Sequence, residues 1–151
     1  MKEKDEFIKI FSTNIRNILS KVNIDSGRLQ EIRLRAGKPL VLSAAGKEYF
    51  VTLSGSLTSD SEKSFRVSKR EIEETMEYVA NYSMYAYEEE LRQGFLTIGG
   101  GHRVGVVGKA VAEDGHIRSM KYISCINVRI AHEVRGCADA VMPYVAGRGG
   151  V

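Results

Sequence analysis

Apolar and polar positions follow two different periods along this chain. Over residues 7–22, apolar side chains recur every three or four positions, which predicts an amphipathic helix. Further on, Ile32 and Leu34 alternate with charged residues, and this period of two predicts a half-buried strand. Glycine-containing turns at 37–39 and at 46 separate this strand from two more, so a small antiparallel meander is predicted.

The second half of the chain is predicted to begin with helices and to continue mainly as strands, after a serine-rich surface loop at 54–64. Ser68 and Glu71 have the spacing of a capping box at the start of a helix. A second, short helix is predicted to end at Gly94, because glycine favours the left-handed C-cap. Further predicted elements are short strands at 65–67, 95–98, 103–111, 117–120 and 122–131, a hairpin turn at 113–116, and a last helix at 138–145. The predicted fold class is α+β, with a small, mostly antiparallel sheet packed with several helices.

Composition places the chain among ordinary globular domains. Its 151 residues are 43% hydrophobic and 27% charged, enough apolar material for one domain with its own core. No apolar run approaches the ~20 residues that cross a bilayer, and the charged N-terminus does not resemble a signal peptide. We therefore expect a soluble chain that is not exported by a signal of its own.

Metal and acid–base chemistry find little support in the sequence. The two cysteines, Cys125 and Cys137, form no CxxC pair, so reduced thiols are expected rather than a disulfide or a metal site. The three histidines, His102, His116 and His132, lie near predicted turns or strand ends without a local catalytic partner, and surface or capping roles are favoured. An unrecognised enzyme that uses them is the weakest of the alternatives.

A phosphate cradle is also missing from these residues. The Gly-Lys pairs at 37–38, 46–47 and 108–109 do not stand in the GxxxxGK[ST] pattern, so the chain has no Walker A motif. The glycines at 99–101 are followed by predicted strands rather than by a helix, which excludes a dinucleotide fingerprint and favours a tight turn.

Arginines within strand patterns are the remaining signal, namely Arg33, Arg35, Arg103 and Arg129. One interpretation is solvation and cross-strand pairing with glutamates. The other is a set of rigidly held guanidinium groups that bind phosphate oxygens in bidentate fashion. The sequence alone leaves both open.

Four stretches of the chain together resemble the stage III sporulation protein AA family. They are EIRLRAGKPL at 31–40, YSMYAYEEELRQGF at 82–95, TIGGGHRVGVVG at 97–108 and NVRIA at 127–131, followed by Glu133, Val134 and Gly136. The resemblance covers most of residues 28–145, whereas residues 1–25 and the loop at 54–64 contribute little.

The resemblance implies a domain organisation. The family is similar to the ATPases of type II and type IV secretion and of type IV pili, in which an N-terminal α+β domain precedes a P-loop ATPase domain. It implies an N-terminal helix at 1–27, the N-terminal domain at 28–146, and at 147–151 the start of a linker to an ATPase domain that this chain lacks. ATP and Mg²⁺ are then expected for the ATPase domain, with no catalytic residue, metal or cofactor in the present residues.

The resemblance also implies a function. It predicts a regulatory and oligomerisation domain of a cytoplasmic, hexameric ATPase at the inner membrane face, which powers assembly of, or transport through, a channel between mother cell and forespore. Its partners would be its own ATPase domain, neighbouring subunits and membrane proteins of the channel, with nucleic acid not expected. Arg103 and Arg129 are the positions that resemble arginines contacting nucleotide in a neighbouring subunit. The alternative is a stand-alone module for RNA or single-stranded DNA, which the strand arginines and the tyrosines would serve.

Overall fold

The computed structural model describes residues 6–113 and 116–132, which form three α-helices and one sheet. The helices are α1 (Thr13–Lys21), α2 (Lys69–Tyr82) and α3 (Tyr87–Gln93). The strands are β1 (Leu29–Arg35), β2 (Val41–Ala44), β3 (Lys47–Val51), β4 (Leu57–Thr58), β5 (Phe95–Thr97), β6 (Arg103–Glu113) and β7 (His116–Arg129). The sheet has the order β4-β3-β2-β1-β7-β6-β5, and every neighbouring pair is antiparallel. The predicted α+β class is confirmed, while the helix predicted at 138–145 lies outside the described residues.

Strand alternation gives the sheet an inner and an outer face. The inner face consists of apolar side chains that are all buried, among them Ile32, Leu34, Leu42, Leu96, Val104, Val106, Ile126 and Val128. Apolar residues of the three helices join the same core, including Ile15, Ile18, Leu19, Ile72, Val79 and Leu91. The helices therefore cover the inner face, and none of the helices formed by residues 6–113 and 116–132 covers the outer face.

The amphipathic segment at 7–22 is interrupted, where one continuous helix was predicted. A short 3-10 helix at Ile8–Ile10 precedes Ser12, whose extended backbone (ψ 157°) separates it from α1. The Ser12 N–H donates to Thr75 Oγ1 at 3.0 Å in α2, and the Ser12 hydroxyl accepts from the N–H of Ile15 at 3.4 Å. Ser12 thus both caps α1 and contacts α2. The apolar residues of the segment are buried on one side, as their period predicts.

The predicted ends of α2 and α3 are confirmed. Ser68 Oγ accepts from the Glu71 N–H at 3.3 Å and Glu71 Oε2 accepts from the Ser68 N–H at 2.6 Å, which completes the capping box. Gly94 closes α3 in the left-handed region with φ 88°. The strand predicted at 65–67 is reduced to one bridge between Arg66 and Pro39, and the loop at 54–64 contains β4 and a 3-10 turn at Ser61–Lys63.

The hairpin of β6 and β7 extends further than predicted. The turn at 113–116 is confirmed, since Glu113 pairs with His116. The second strand of the hairpin, β7, is continuous where two strands were predicted, and its pairing with β6 contains a shift of register. Tyr122 has φ 53°, close to the shift of register between Val107 and Lys109. A positive φ is uncommon for a residue with a side chain, and such bulges occur where a strand changes its register.

Candidate functional site

The outer face of the sheet brings together all four strand arginines identified in the sequence. Arg33 and Arg35 lie on β1, Arg103 on β6 and Arg129 on β7. The register places Arg33 opposite Asn127 and Arg103 opposite Arg129. Because side chains alternate between faces along a strand, these odd-numbered positions all project away from the helices.

Arg33 and Arg35 occupy different environments on this face. Arg33 makes ion pairs with Glu31 on its own strand at 3.5 Å and with Glu48 on β3 at 3.7 Å, so pairing with glutamates accounts for it. Arg35 is exposed and stands opposite the half-buried Cys125. Burial raises the pKa of the Cys125 thiol, while Arg35 and Arg33 act in the opposite direction. Arg33 therefore has a structural explanation, whereas Arg35 forms no ion pair among the described residues.

Arg103 and Arg129 are arranged in a way that stability does not explain. They are exposed and directly opposite each other on adjacent strands, a position in which like charges destabilise a sheet. Within residues 6–113 and 116–132, no carboxylate forms an ion pair with either guanidinium. The guanidinium carbon of Arg103 lies 4.5 Å from the ring centroid of Phe95, a cation–π contact that fixes its position. The pair thus presents two oriented donors without an anionic partner from the described part of the chain.

The two arginines line a cavity of about 240 Å³ together with Phe95, Gly105 and Asn127. At position 105 a side chain would meet only the Asn127 carbonyl oxygen, at 3.8 Å, so glycine leaves open the space that a side chain would fill. The Oδ1 atom of Asn127 is buried and has no hydrogen-bond partner among the described residues. Phe95, Gly105 and Asn127 were not assigned a role from sequence, although asparagine is uncommon in strands.

A second, larger cavity adjoins the first at Arg129. It has a volume of about 490 Å³, and Glu31, Lys47 and His132 are among the residues that line it. Arg129 belongs to the linings of both cavities. The polar groups of this second cavity have mixed charge, which makes the Arg103–Arg129 cavity the more positive of the two.

His102 is buried next to the arginine pair, where a surface or capping role was predicted. Its Nδ1 accepts a hydrogen bond from the Ala131 N–H at 3.0 Å, which ties the start of β6 to the exit of β7. The preceding Gly100 has φ 91°, and a Cβ there would lie 2.8 Å from His102 Nε2. Burial lowers the pKa of His102, nearby His132 lowers it further, and Glu6 raises it. A neutral His102 therefore helps to hold Arg103 and Arg129 side by side.

The other groups considered in the sequence contribute no comparable site. His132 Nε2 contacts the backbone oxygen of Leu29, and His116 and Cys137 have their side chains outside the described part. Glu90 accepts from the Thr97 N–H at 2.9 Å, which fixes the acidic helix to β5. The described residues contain no group of three or more His, Cys, Asp or Glu that could hold a metal ion. They also contain no helix long and apolar enough to cross a membrane.

A curated relative and a family model agree on the family of this chain. Stage III sporulation protein AA of Bacillus subtilis (strain 168) is 30% identical over 142 residues, which cover 93% of this chain and 42% of that protein. The chain thus spans about two fifths of the length of this relative. The crystal structure of the VirB11 ATPase from the Brucella suis type IV secretion system in complex with sulphate aligns with a TM-score of 0.46 and 10% identity, over 91% of this chain and 35% of that chain. A family model described as sporulation stage III, protein AA matches residues 1–149, and the chain therefore belongs to the sporulation stage III protein AA family.

Proposed function

We propose that this chain is the N-terminal regulatory and oligomerisation domain of a secretion-type ATPase that acts in sporulation. The whole protein binds ATP and Mg²⁺ in a P-loop domain and works as a cytoplasmic hexamer at the inner membrane face. With membrane proteins as partners, it powers assembly of, or transport through, a channel between mother cell and forespore. Family membership and the sequence resemblance to secretion ATPases support this proposal, and the division at residues 27 and 146 stays a prediction.

In this proposal Arg103 and Arg129 contact the phosphates of a nucleotide held by an ATPase domain of the assembly. The observation that carries it is that two arginines stand opposite each other on adjacent strands, line one cavity and have no ion-pair partner among the described residues. An anion between them removes the repulsion and accepts charge-assisted hydrogen bonds from both. Phosphate suits this role because guanidinium groups bind its oxygens in bidentate geometry.

The domain acts by positioning rather than by chemistry of its own. Hydrolysis by the P-loop route requires the lysine and the magnesium-binding hydroxyl of a GxxxxGK[ST] motif, and this sequence does not contain that motif. Strands of a sheet hold side chains more rigidly than loops do, so the arginine pair arrives at the phosphates as one preformed unit. Nucleotide bound by the ATPase domain then draws the whole sheet towards it, which is a rigid-body movement.

ATP turnover by the full-length protein tests this proposal. Arg103→Ala and Arg129→Ala are each expected to lower kcat/KM by about 10- to 100-fold, the range expected from losing a hydrogen bond to a charged group. Arg70→Ala is the matched control, because Arg70 is an exposed arginine on the first turn of α2. Turnover that is unchanged in both sheet variants, with the protein folded, would remove the arginines from the mechanism.

Binding of RNA or single-stranded DNA is the alternative function, and the structure favours it less. The exposed tyrosines Tyr82 and Tyr85 lie at the end of α2 and just after it, rather than within a strand of the sheet. A stacking platform for bases instead needs aromatic rings on the exposed face of the sheet. Tight binding of single-stranded RNA or DNA that weakens steeply between about 50 and 200 mM salt would reverse this order.

A further inference from the structure

Asn127 lines the same cavity as Arg103 and Arg129, and the proposed function gives it no role. It lies on β7 opposite Gly105, one row along the sheet from the Arg103–Arg129 pair, and its backbone is fully paired between β1 and β6. Its Oδ1 atom is nevertheless buried without a hydrogen-bond partner among the described residues. A buried acceptor left unpaired is costly to a fold, so such atoms in native proteins call for an explanation.

The position of this acceptor relative to the arginines defines the ligand group that would satisfy it. Two residues along a strand correspond to about 7 Å, so the backbone of Asn127 lies about that far from the backbone of Arg129. The guanidinium of Arg103 lies over Phe95, in the same row across the sheet as Gly105 and Asn127. Ionised phosphates carry no donor for an amide oxygen. A nucleoside polyphosphate bound by Arg103 and Arg129 offers hydroxyl donors on its sugar and N–H donors on its base.

The walls of the cavity favour the sugar over the base. Phe95 is the one aromatic residue in its lining, and the guanidinium of Arg103 already covers that ring. A volume of about 240 Å³ also lies below the ~300–1,000 Å³ of pockets that enclose a whole ligand. The space next to Gly105 therefore suits one moiety that carries hydroxyl groups. The amide needs only a turn about its last torsion to meet it, and that torsion has a broad minimum.

We infer that Asn127 accepts a hydrogen bond from a sugar hydroxyl of the nucleotide whose phosphates contact Arg103 and Arg129. This inference rests on the proposed function, and it adds a specificity-determining contact to it. The domain would then recognise a ribonucleotide by two groups, its phosphates and its sugar, with Gly105 leaving room for the ring. A nucleotide that lacks the hydroxyl would leave the Asn127 oxygen buried and unpaired, which is the condition for strong discrimination.

The test compares kcat/KM of the full-length protein for ATP, 2′-deoxyATP and 3′-deoxyATP. The wild type is expected to prefer ATP over one of the two analogues by about tenfold, the usual effect of one buried hydrogen bond. In Asn127→Leu, kcat/KM for ATP should fall to the value for that analogue, while the value for the analogue stays the same. Ser43→Ala is the control, since it removes a polar side chain from the outer face of β2, and it should keep the full preference.

The possible results distinguish failure of this inference from failure of the proposed function. Equal kcat/KM for all three nucleotides in the wild type overturns the inference, and this measurement does not depend on whether any variant folds. A preference that persists in Asn127→Leu overturns it as well. If Arg103→Ala and Arg129→Ala leave turnover unchanged, the proposed function fails and the inference falls with it. If the arginine variants lose activity and the sugar preference does not follow Asn127, only the inference fails.

Discussion

The inner and outer faces of the sheet are built from the same strands and differ in what satisfies their side chains. On the inner face, Leu34 and Val104 are fully buried against the helices. On the outer face, Arg103 and Arg129 stand exposed and opposite each other without a carboxylate partner in the described part of the chain. The contrast indicates that the inner face accounts for the stability of the domain. The only stabilising contact that the described residues give the arginine pair is that of Arg103 with Phe95, so the opposition of Arg103 and Arg129 is better explained by a ligand.

Substitution in the core should give the largest loss of stability. Leu34 is 0% exposed, so Leu34→Ala removes buried methyl groups and leaves a cavity, at a cost of about 2–5 kcal/mol of unfolding free energy. Val107, on the outer face of β6, is 60% exposed, and Val107→Ala should change the same quantity by less than about 0.5 kcal/mol. Urea denaturation measures both variants, and equal losses would contradict the division of the sheet into two faces.

The capping box should contribute less to the unfolding free energy than a core residue does. Ser68→Ala removes the acceptor for the Glu71 N–H at the start of α2, and we expect a loss of about 1 kcal/mol in unfolding free energy. Ser59→Ala, in an exposed loop, serves as the control and should have little effect. A Ser68 variant as stable as the control would mean that the packing of α2 alone fixes its first turn.

His102 makes the inner face sensitive to pH. Its pKa in the folded chain lies below the ordinary 6.5, first because it is buried and then because of His132, so the unfolded chain takes up the proton more readily. The free energy of unfolding should therefore be fully present above about pH 6.5 and fall as the pH drops below it. Thermal denaturation of the wild type and of His102→Asn between about pH 5.5 and 7.5 checks this. An equally steep decline in the variant would assign the effect to other groups.

Removal of one arginine should have the smallest effect on stability, and in the opposite direction. Arg129→Gln relieves the repulsion with Arg103, so the unfolding free energy should rise by a few tenths of a kcal/mol at low salt. Added salt screens exposed charges, so this gain should shrink at about 1 M NaCl. A clear loss of stability at low salt would show that Arg129 has a structural partner and would weaken the contrast between the faces.

Local signals in the sequence were sufficient to predict much of the fold. The period of two around Ile32 and Leu34, the capping box at Ser68 and the C-cap at Gly94 each depend on residues close together in the chain. The break at Ser12 was not predictable, because its backbone N–H donates to Thr75, 63 residues away. A period reveals which side of a helix is buried, whereas distant partners decide where the helix begins.

The candidate site also depends on contacts between residues that are distant in the sequence. Alternation along each strand predicted that Arg103 and Arg129 would be exposed, but their direct opposition depends on the register of a long hairpin that contains a bulge near Tyr122. Asn127 enters the site only because β7 lies between β1 and β6, a pairing that the order of the sequence does not reveal. The chemistry of single residues was therefore predictable, and their combination required the fold.

The central claim is that the arginine pair serves a phosphate ligand rather than the stability of the domain. The most direct test measures both quantities in one variant of the full-length protein, Arg103→Ala combined with Arg129→Ala. We predict that kcat/KM for ATP falls by at least about tenfold. The unfolding free energy should fall by no more than about 1 kcal/mol, because relief of the repulsion between the arginines offsets part of the loss of the Arg103–Phe95 contact. Unchanged turnover, or a loss of turnover that is matched by a loss of stability, would contradict the claim.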